Sequence, residues 1–383
     1  MRIALTCPYH WFRGGGVKEH VLALEEEYLR RGYYVKVITP LPSDYDGPVD
    51  DTVITLGTSR TTTAFAGTAW QWAFSVDTDA IDDVFKKEKF DILHFHEPWL
   101  PVWGRQLALR STSANVATVH GRFYDNMKAK TVSTVVTPYT KPMLKYFDAF
   151  TAASEVSSEY FRTLSSQPIT VIPNGIDLAK YSKRPNGAKL LARSGKTIFY
   201  VGRLENRKGV RYLLKAFNEL SKTHKDVHLI IGGSGPDEER LRQLVDELGI
   251  SRVKFVGFVE EIDKIGYLHE VDLACFPSTY GEGFGIVLLE AMAADCPAVV
   301  GDNIGYAGVM KGLGALSLVN PRDTIDFSRR LELMLFNESL RDLWRQWSKD
   351  YVKQFDWPII ADQYLKVYEQ AIEHHKHRHH GSA

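Results

Sequence analysis

Two of the cations in one loop of the chain could neutralise a diphosphate. The segment Gly202–Gly209 follows an apolar run that is typical of a strand, and it contains Arg203 and Lys208. In a parallel α/β sheet, ligands bind beyond the carboxyl ends of the strands, where both side chains would emerge. Arginine can bond two phosphate oxygens at once, whereas lysine acts as a point charge. The pattern predicts a diphosphate site, although an ordinary charged loop would also explain it.

A second segment, Tyr280–Glu290, combines glycines, carboxylates and an apolar helical pattern. The turn and the start of the helix are formed by Gly283, Phe284, Gly285 and Ile286. A helix N-terminus presents unpaired N–H groups and a positive dipole end, which favour phosphate. Glu290 lies about two turns inside the helix, where a carboxylate suits the hydroxyls of a ribose, and Glu282 lies on the loop. This segment is the most specific functional signal in the chain.

Weaker signals occur at three other predicted strand ends. The glycines of Ile231–Pro236 are explained equally well by a simple strand-to-helix turn. Tyr9 follows the first strand, and Gly15 and Gly16 open the next helix, which predicts an N–H-rich loop at the carboxyl edge. His120 follows another strand and emerges at the same edge.

The pattern of His94, His96 and Glu97 is similar to a set of metal ligands. Alternate strand residues share a face, however, so these side chains fit a core or a cleft equally well. Since no further ligand set accompanies them, we predict no metal site. The three cysteines are far apart and lack metal spacing, which favours a reducing compartment without disulfides.

Two sheets are needed to bring these residues to their carboxyl edges. Short β-branched runs alternate with helical patterns along the 383 residues, which predicts two doubly wound α/β domains. The predicted strands are 2–6, 34–39, 92–95, 116–119, 149–152, 169–172, 197–201, 228–231, 254–256, 273–276 and 298–300. The turn-forming run Pro173–Asp177 suits a hinge. We expect domains at 1–172 and 173–357, a helix at 358–375 that completes the first domain, and a disordered tail at 376–383.

Composition and charge limit the interactions expected with nucleic acids and membranes. The 47 lysines and arginines balance the 47 aspartates and glutamates, so no global attraction to nucleic acid is expected. No run of ~20 apolar residues predicts a membrane span. Aromatic residues and lysines within Thr52–Lys89 suit either a membrane interface or a solvated helix with a buried aromatic face. We expect a cytoplasmic protein that is soluble or lies peripherally on the inner face of the plasma membrane.

At these residues the chain resembles glycosyltransferase family 4, whose members are retaining enzymes of the GT-B class. The Gly202–Gly209 loop, the Pro173–Asp177 boundary and the Glu282/Glu290 pair match in order, and the resemblance covers nearly the whole chain. Within the family, local matches such as His96-Glu97-Pro98 are most similar to actinobacterial phosphatidylinositol mannosyltransferases. The resemblance implies two Rossmann-like domains that face each other across a cleft and transfer a hexose from a nucleotide sugar.

The resemblance also implies a role for each residue and no required cofactor or divalent metal. The donor site would comprise Gly15, Gly16, Arg203, Lys208, Gly283, Phe284, Gly285, Ile286 and Glu290. The catalytic residues would be His120, Arg203, Lys208 and Glu282, and the acceptor would meet Tyr9 and Arg207. Within this scheme the leaving phosphate would deprotonate the acceptor on the same face of the sugar.

The resemblance implies GDP-mannose as donor and phosphatidylinositol as acceptor, but three acceptor positions differ. Arg13 stands where an acidic residue is expected, Trp99 replaces a small polar residue, and Asp125 stands where a lysine is expected. A UDP- or ADP-sugar with a soluble saccharide or metabolite acceptor is therefore an alternative.

Two alternatives from other classes are disfavoured. A non-catalytic nucleotide-binding protein would have no chemical need for the complete set Arg203, Lys208, Glu282 and Glu290. A dehydrogenase is disfavoured because no GxGxxG pattern opens the first βαβ unit.

Overall fold

The computed structural model describes residues 1–9, 11, 15–63, 69–73, 76–98, 102–121, 137–186 and 195–380. The chain forms two compact units, one from residues 1–175 with 357–383 and the other from residues 176–356. The boundary therefore lies between Gly175 and Ile176, rather than between residues 172 and 173 as expected.

Unit 1 is built on an eight-stranded sheet in the order β4-β3-β2-β1-β5-β6-β7-β8. Its strands are β1 (Arg2–Thr6), β2 (Tyr34–Pro42), β3 (Val53–Thr63), β4 (Ala69–Ala73), β5 (Ile92–His96), β6 (Ala114–Val119), β7 (Ala149–Ala152) and β8 (Thr170–Val171). Among the described strands, β4 alone runs antiparallel, against β3. The strand order reverses between β1 and β5, which are parallel neighbours.

Helices cover both faces of this sheet. They include α1 (Gly16–Arg30), α2 (Thr78–Glu88), α3 (Trp103–Arg110), α4 (Glu155–Leu164) and α13 (Trp357–His380). Residues 137–143 are also helical and lead into a 3-10 turn at Leu144–Tyr146. Alternate residues of β1 illustrate the two faces: Ala4 belongs to the core that contains residues of α2, α3 and α4. Ile3 and Leu5 belong to the core formed with α1 and α13. The alternation follows from the period of two in a strand.

Unit 2 has a six-stranded parallel sheet in the order β11-β10-β9-β12-β13-β14. Its strands are β9 (Lys196–Val201), β10 (Val227–Gly232), β11 (Val253–Gly257), β12 (Leu273–Phe276), β13 (Ala298–Gly301) and β14 (Leu318–Val319). Its helices are α5 (Leu178–Tyr181), α6 (Val210–Thr223), α7 (Glu238–Glu247), α8 (Glu261–Glu270), α9 (Ile286–Ala293), α10 (Ile304–Val309), α11 (Thr324–Phe336) and α12 (Glu338–Tyr351), with 3-10 turns at Asn206–Lys208, Gly312–Ser317 and Val352–Phe355. This strand order is that of the dinucleotide-binding Rossmann sheet, which has its switch point between β9 and β12.

The structure differs from expectation in the irregular region and at the C-terminus. The segment Thr52–Lys89 contains β3, β4 and α2 rather than one solvated helix. Helix α13 continues to His380, so the expected end of the helix at residue 375 and the disorder of residues 376–380 are wrong. Asp148 explains the extension, because its carboxylate contacts both His375 and Arg378. Among the described residues, no helix combines the length and apolar character needed to cross a bilayer.

Gly233 allows two strand-end loops of unit 2 to touch. Its φ of +122° is strained for a side chain, and a Cβ there would lie 1.9 Å from the carbonyl oxygen of Gly202. The amide of Gly233 donates to the Gly257 carbonyl at 2.6 Å, and the amide of Gly202 donates to the Gly232 carbonyl at 3.1 Å. These contacts join the carboxyl ends of β9, β10 and β11.

We expect Gly233→Ala to destabilise unit 2 more than Gly249→Ala. Gly249 also has a positive φ, +61°, but a Cβ there would meet nothing within 4 Å. The control should cost about 1 kcal/mol for its backbone conformation, whereas Gly233→Ala adds a collision and should cost about 3 kcal/mol or more. Thermal melting of both variants measures the difference. Equal melting temperatures would show that the loops do not need this close approach.

Candidate functional site

The predicted phosphate-binding segments of unit 2 follow the two strands at the switch point. Arg203 is exposed directly after β9, and the segment that contains Glu282 follows β12. Open α/β sheets bind ligands in the crevice outside the carboxyl ends of such strands. The carbonyl of Arg203 accepts a hydrogen bond from the Tyr200 hydroxyl at 2.9 Å, which fixes the first residues of the loop.

Glu282 joins the two loops through ion pairs. Its Oε1 lies 2.9 Å from Nη1 of Arg207 and 2.8 Å from Nζ of Lys208. Arg207 also contacts Glu205 at 2.7 Å and donates to the carbonyl of Gly281 at 3.2 Å. The side chains of Glu282 and Lys208 are only 12% and 19% exposed. Partial exclusion of water strengthens these pairs and keeps the positive groups in one place.

Glycines make the start of α9 accessible from this loop. Gly285 precedes the helix with a φ of +110°, and a Cβ there would lie 2.6 Å from the ring of Tyr306. No side chain caps the first turn. Phe284 is buried, and its ring centroid lies 6.0 Å from that of Phe355. This contact anchors the turn. The uncapped N–H groups can bond an anion.

Glu290 lies on α9 in a polar network of its own. Its Oε1 accepts from Nζ of Lys264 at 2.7 Å, and its side chain is 11% exposed. Tyr181 donates to Oε1 of Glu261 at 3.0 Å. Burial, followed by the charges of Glu290 and Glu261, raises the pKa of Tyr181, so its hydroxyl stays protonated. The Glu290 carboxylate therefore lies beside the Lys264 ammonium and can also accept from ligand hydroxyls.

Unit 1 gathers its own candidates at the carboxyl ends of β1, β5 and β6. Oε1 of Glu97 accepts from the backbone amides of His120 at 2.6 Å and Gly121 at 2.5 Å. Glu97 has a φ of +50°, an uncommon conformation that carries strain. Burial, followed by the charges of Glu97 and Cys7, raises the pKa of Tyr9 well above its usual range. Tyr9 is therefore a neutral hydroxyl near the residues that hold His120.

Four histidines lie together behind this edge. Nδ1 of His96 and Nε2 of His120 are 2.7 Å apart, and Nδ1 of His20 lies 3.1 Å from Oδ1 of Asn174. His94 contacts the Tyr368 hydroxyl through Nδ1 at 2.7 Å and the Thr118 hydroxyl through Nε2 at 2.6 Å. Burial lowers the pKa of His20 to about 4 and holds the pKa values of the other three well below their usual range.

Three of these rings meet the minimum geometry for a metal ion, but their contacts favour a hydrogen-bonded cluster. His20, His96 and His120 each offer one nitrogen within 4.8 Å of the others. Ligand nitrogens around tetrahedral zinc stand about 3.3 Å apart, whereas those of His96 and His120 are at hydrogen-bond distance. The nearby Glu97 carboxylate already accepts from backbone amides. Within the described part of the chain, Glu97 is thus the acidic group near these rings and is already engaged, and burying a dication without a paired charge is costly.

The sequence-predicted residues fall into these two groups. Unit 2 brings together Arg207, Lys208 and Glu282 through direct contacts and carries Gly283, Phe284, Gly285, Ile286 and Glu290 on the following turn and helix. Arg207, predicted from the resemblance to face the acceptor, contacts the same carboxylate as Lys208. In unit 1, Gly15 and Gly16 are exposed at the start of α1. Arg13, Trp99 and Asp125 lie outside the described residues.

Sequence reasoning missed the partners that hold these groups. Lys264 precedes Glu290 by 26 positions and belongs to no motif, so only the fold brings them together. His20 was not among the expected site residues, and Asn174 was expected only as part of the hinge run Pro173–Asp177. The residues whose pattern is similar to metal ligands separate in the structure: His94 and His96 join a cluster with His20 and His120, whereas Glu97 binds backbone amides.

Known proteins match this chain along both units. The family profile described as Glycosyltransferase Family 4 matches residues 14–180, and that described as Glycosyl transferases group 1 matches residues 185–350. A phosphatidyl-myo-inositol mannosyltransferase of Mycobacterium leprae is 31% identical over 374 residues, which cover 96% of each chain.

Solved structures agree in fold. Sucrose-phosphate synthase from Thermosynechococcus elongatus has a TM-score of 0.75 at 21% identity and covers 96% of this chain and 98% of its own. Anabaena HepE in complex with UDP and glucose has a TM-score of 0.73 at 18% identity, with 96% and 99% coverage. Together with the two sheets, which are parallel except for β4, these matches confirm the predicted GT-B class of paired Rossmann-like domains. The chain belongs to glycosyltransferase family 4 and is a glycosyltransferase.

Proposed function

We propose that this enzyme transfers mannose from GDP-mannose to a lipid-linked acceptor such as phosphatidylinositol, with retention of the anomeric configuration. The mannosyl donor and the lipid are supported by relatives that bear the name phosphatidyl-myo-inositol mannosyltransferase. The alternative is a UDP- or ADP-sugar with a soluble acceptor. It is favoured by the HepE complexes with UDP and by the differences at Arg13, Trp99 and Asp125.

The observation that carries the donor assignment is the clustering of cations at the switch point of unit 2. Arg207 and Lys208 converge on one carboxylate beside the uncapped N-terminus of α9, and Arg203 emerges from the same loop. A diphosphate would satisfy both the cations and the helix amides. Glu290, farther along α9, would accept from the ribose hydroxyls, and Glu282 would orient the donor sugar. This arrangement needs no metal to stabilise the leaving diphosphate.

In the proposed reaction, the bond between the anomeric carbon and the donor phosphate oxygen breaks. The acceptor oxygen attacks the same face of the sugar, and its proton passes to the departing phosphate. Arg203 and Lys208 lower the barrier by stabilising negative charge as it accumulates on that phosphate. His120 lines the reaction centre, the loop glycines Gly15 and Gly16 contact the donor diphosphate, and Tyr9 meets the acceptor.

We predict that Arg203→Ala and Lys208→Ala each lower kcat by about 10²- to 10³-fold, because each removes one preorganised charge from the leaving group. Initial rates of sugar transfer measure the effect. Lys222→Ala is the matched control, since Lys222 is exposed on α6 and pairs with Glu219. Its rate should stay within about twofold of the parent. Rates within tenfold of the parent in both test variants would contradict the assigned roles.

The acceptor is tested by offering the same inositol phosphate head in two forms. Radiolabelled GDP-mannose is incubated with the enzyme and either phosphatidylinositol in phosphatidylcholine vesicles or its deacylated analogue, glycerophosphoinositol. We expect label in the lipid fraction, and little label in the deacylated product. UDP-glucose and ADP-glucose are run in parallel. Transfer only from another nucleotide sugar, or only to soluble acceptors, would overturn the proposed substrates while leaving the family assignment intact.

A further inference from the structure

His120 is held at two points by residues of one strand end. Glu97 binds its backbone amide, and His96, the last residue of β5, binds Nε2 of its ring. The rings of His96 and His120 are nearly parallel, with centroids 5.0 Å apart and an interplanar angle of 26°. The ring of His20 packs against His120 edge-on at 4.8 Å. The orientation of the His120 ring is therefore fixed by its neighbours.

The hydrogen bond between the two rings requires one donor and one acceptor. Because burial holds the pKa values of both imidazoles well below their usual range, each is neutral near pH 7 and carries one ring proton. The bond can thus be made in two ways, with the proton on Nδ1 of His96 or on Nε2 of His120. These two arrangements leave His120 with opposite hydrogen-bonding character at its other nitrogen, Nδ1.

The second ring nitrogen of His96, Nε2, distinguishes between these two arrangements of the ring protons. Nε2 of His96 is buried and has no hydrogen-bond partner among the described residues. A buried N–H without a partner is rarer in proteins than a buried acceptor without one. The proton of His96 is therefore assigned to Nδ1, which donates to Nε2 of His120. His120 then carries its own proton on Nδ1.

We propose that His96 is a positioning residue that holds His120 as the Nδ1–H tautomer, so that His120 offers a hydrogen-bond donor to a sugar oxygen. The inference rests on the proposed function, in which His120 lines the reaction centre. Which imidazole nitrogen is protonated is commonly set by the hydrogen bond of the other nitrogen. A donor at Nδ1 suits a hydroxyl or ring oxygen of the substrate. It also excludes Nε2 of His120 as a base, because that lone pair is engaged by His96.

The tautomer of His120 can be determined without substrate. Nitrogen NMR spectra of the full chain with ¹⁵N-labelled histidine distinguish protonated from unprotonated ring nitrogens, and the His120 signals are assigned by their loss in His120→Gln. We expect Nδ1 protonated and Nε2 unprotonated in the parent. In His96→Leu, which cannot donate, the proton should move toward Nε2, the position that a free histidine side chain prefers. A parent spectrum with the proton on Nε2 would overturn the proposal.

Steady-state kinetics test whether the hydrogen bond between His96 and His120 affects the rate of sugar transfer. His96→Leu should lower kcat about 10- to 100-fold with little change in the donor KM, and His96→Asn should recover most of the rate because its amide nitrogen can donate from near the Nδ1 position. His94→Leu is the matched control. His94 is equally buried on the same strand and loses two hydrogen bonds, but neither reaches His120. Its kcat should stay within about threefold of the parent.

The outcomes separate this inference from the proposed function. Equal losses of kcat in His96→Leu and His94→Leu, or no rescue by asparagine, would show a merely structural role for His96. A parent enzyme that transfers no sugar from GDP-mannose, or from the UDP- and ADP-sugars, would defeat the proposed function instead. In that case the nitrogen spectra still decide whether His96 sets the tautomer.

Discussion

Strands β9 and β12 are neighbours in the sheet of unit 2, yet the chain leaves them in opposite directions. Their connections diverge at the carboxyl edge and open a crevice there. Two loops border this crevice, and the ion pairs of Glu282 with Arg207 and Lys208 join one loop to the other. The carboxylate keeps two cations in place that would otherwise repel each other. The proposed recognition of a diphosphate depends on this bridge, since the cations act only if they are positioned before the donor binds.

In unit 1, the candidate residue His120 is held in place by neutral groups. Its strand order also reverses, between β1 and β5, and the end of β5 supplies both residues that fix His120. Burial keeps the histidines uncharged, so their orientation rests on hydrogen bonds and ring packing rather than on ion pairs. A neutral imidazole with a defined tautomer is suited to directional bonding with sugar hydroxyls. The two units thus present different chemistry, charge in one and hydrogen bonding in the other.

Much of this organisation follows from local sequence. Buried parallel strands such as β9 and β12 are short apolar runs, and the glycines and charges after them mark the carboxyl edge. Strand β3 was missed because its polar, threonine-rich second half lacks that signal, and the five-residue β4 was missed because it has no β-branched residue. The full length of α13 was missed because Asp148, far away in sequence, stabilises its last turns. Lys264 beside Glu290 and Asn174 beside His20 were likewise invisible, since such pairs depend on tertiary contacts.

Under the proposed function, unit 2 binds a nucleoside diphosphate through Glu290 and the cations of the switch point. Thermal melting with saturating GDP, UDP or ADP tests it directly, on the parent and on Glu290→Gln. A ligand present at 100 times its Kd stabilises the native state by about 2.7 kcal/mol. We expect one of the three, GDP under the proposed function, to raise the melting temperature of the parent, and we expect Glu290→Gln to lose most of this increase. No increase with any nucleotide, or an equal increase in the variant, would contradict this mode of nucleotide binding.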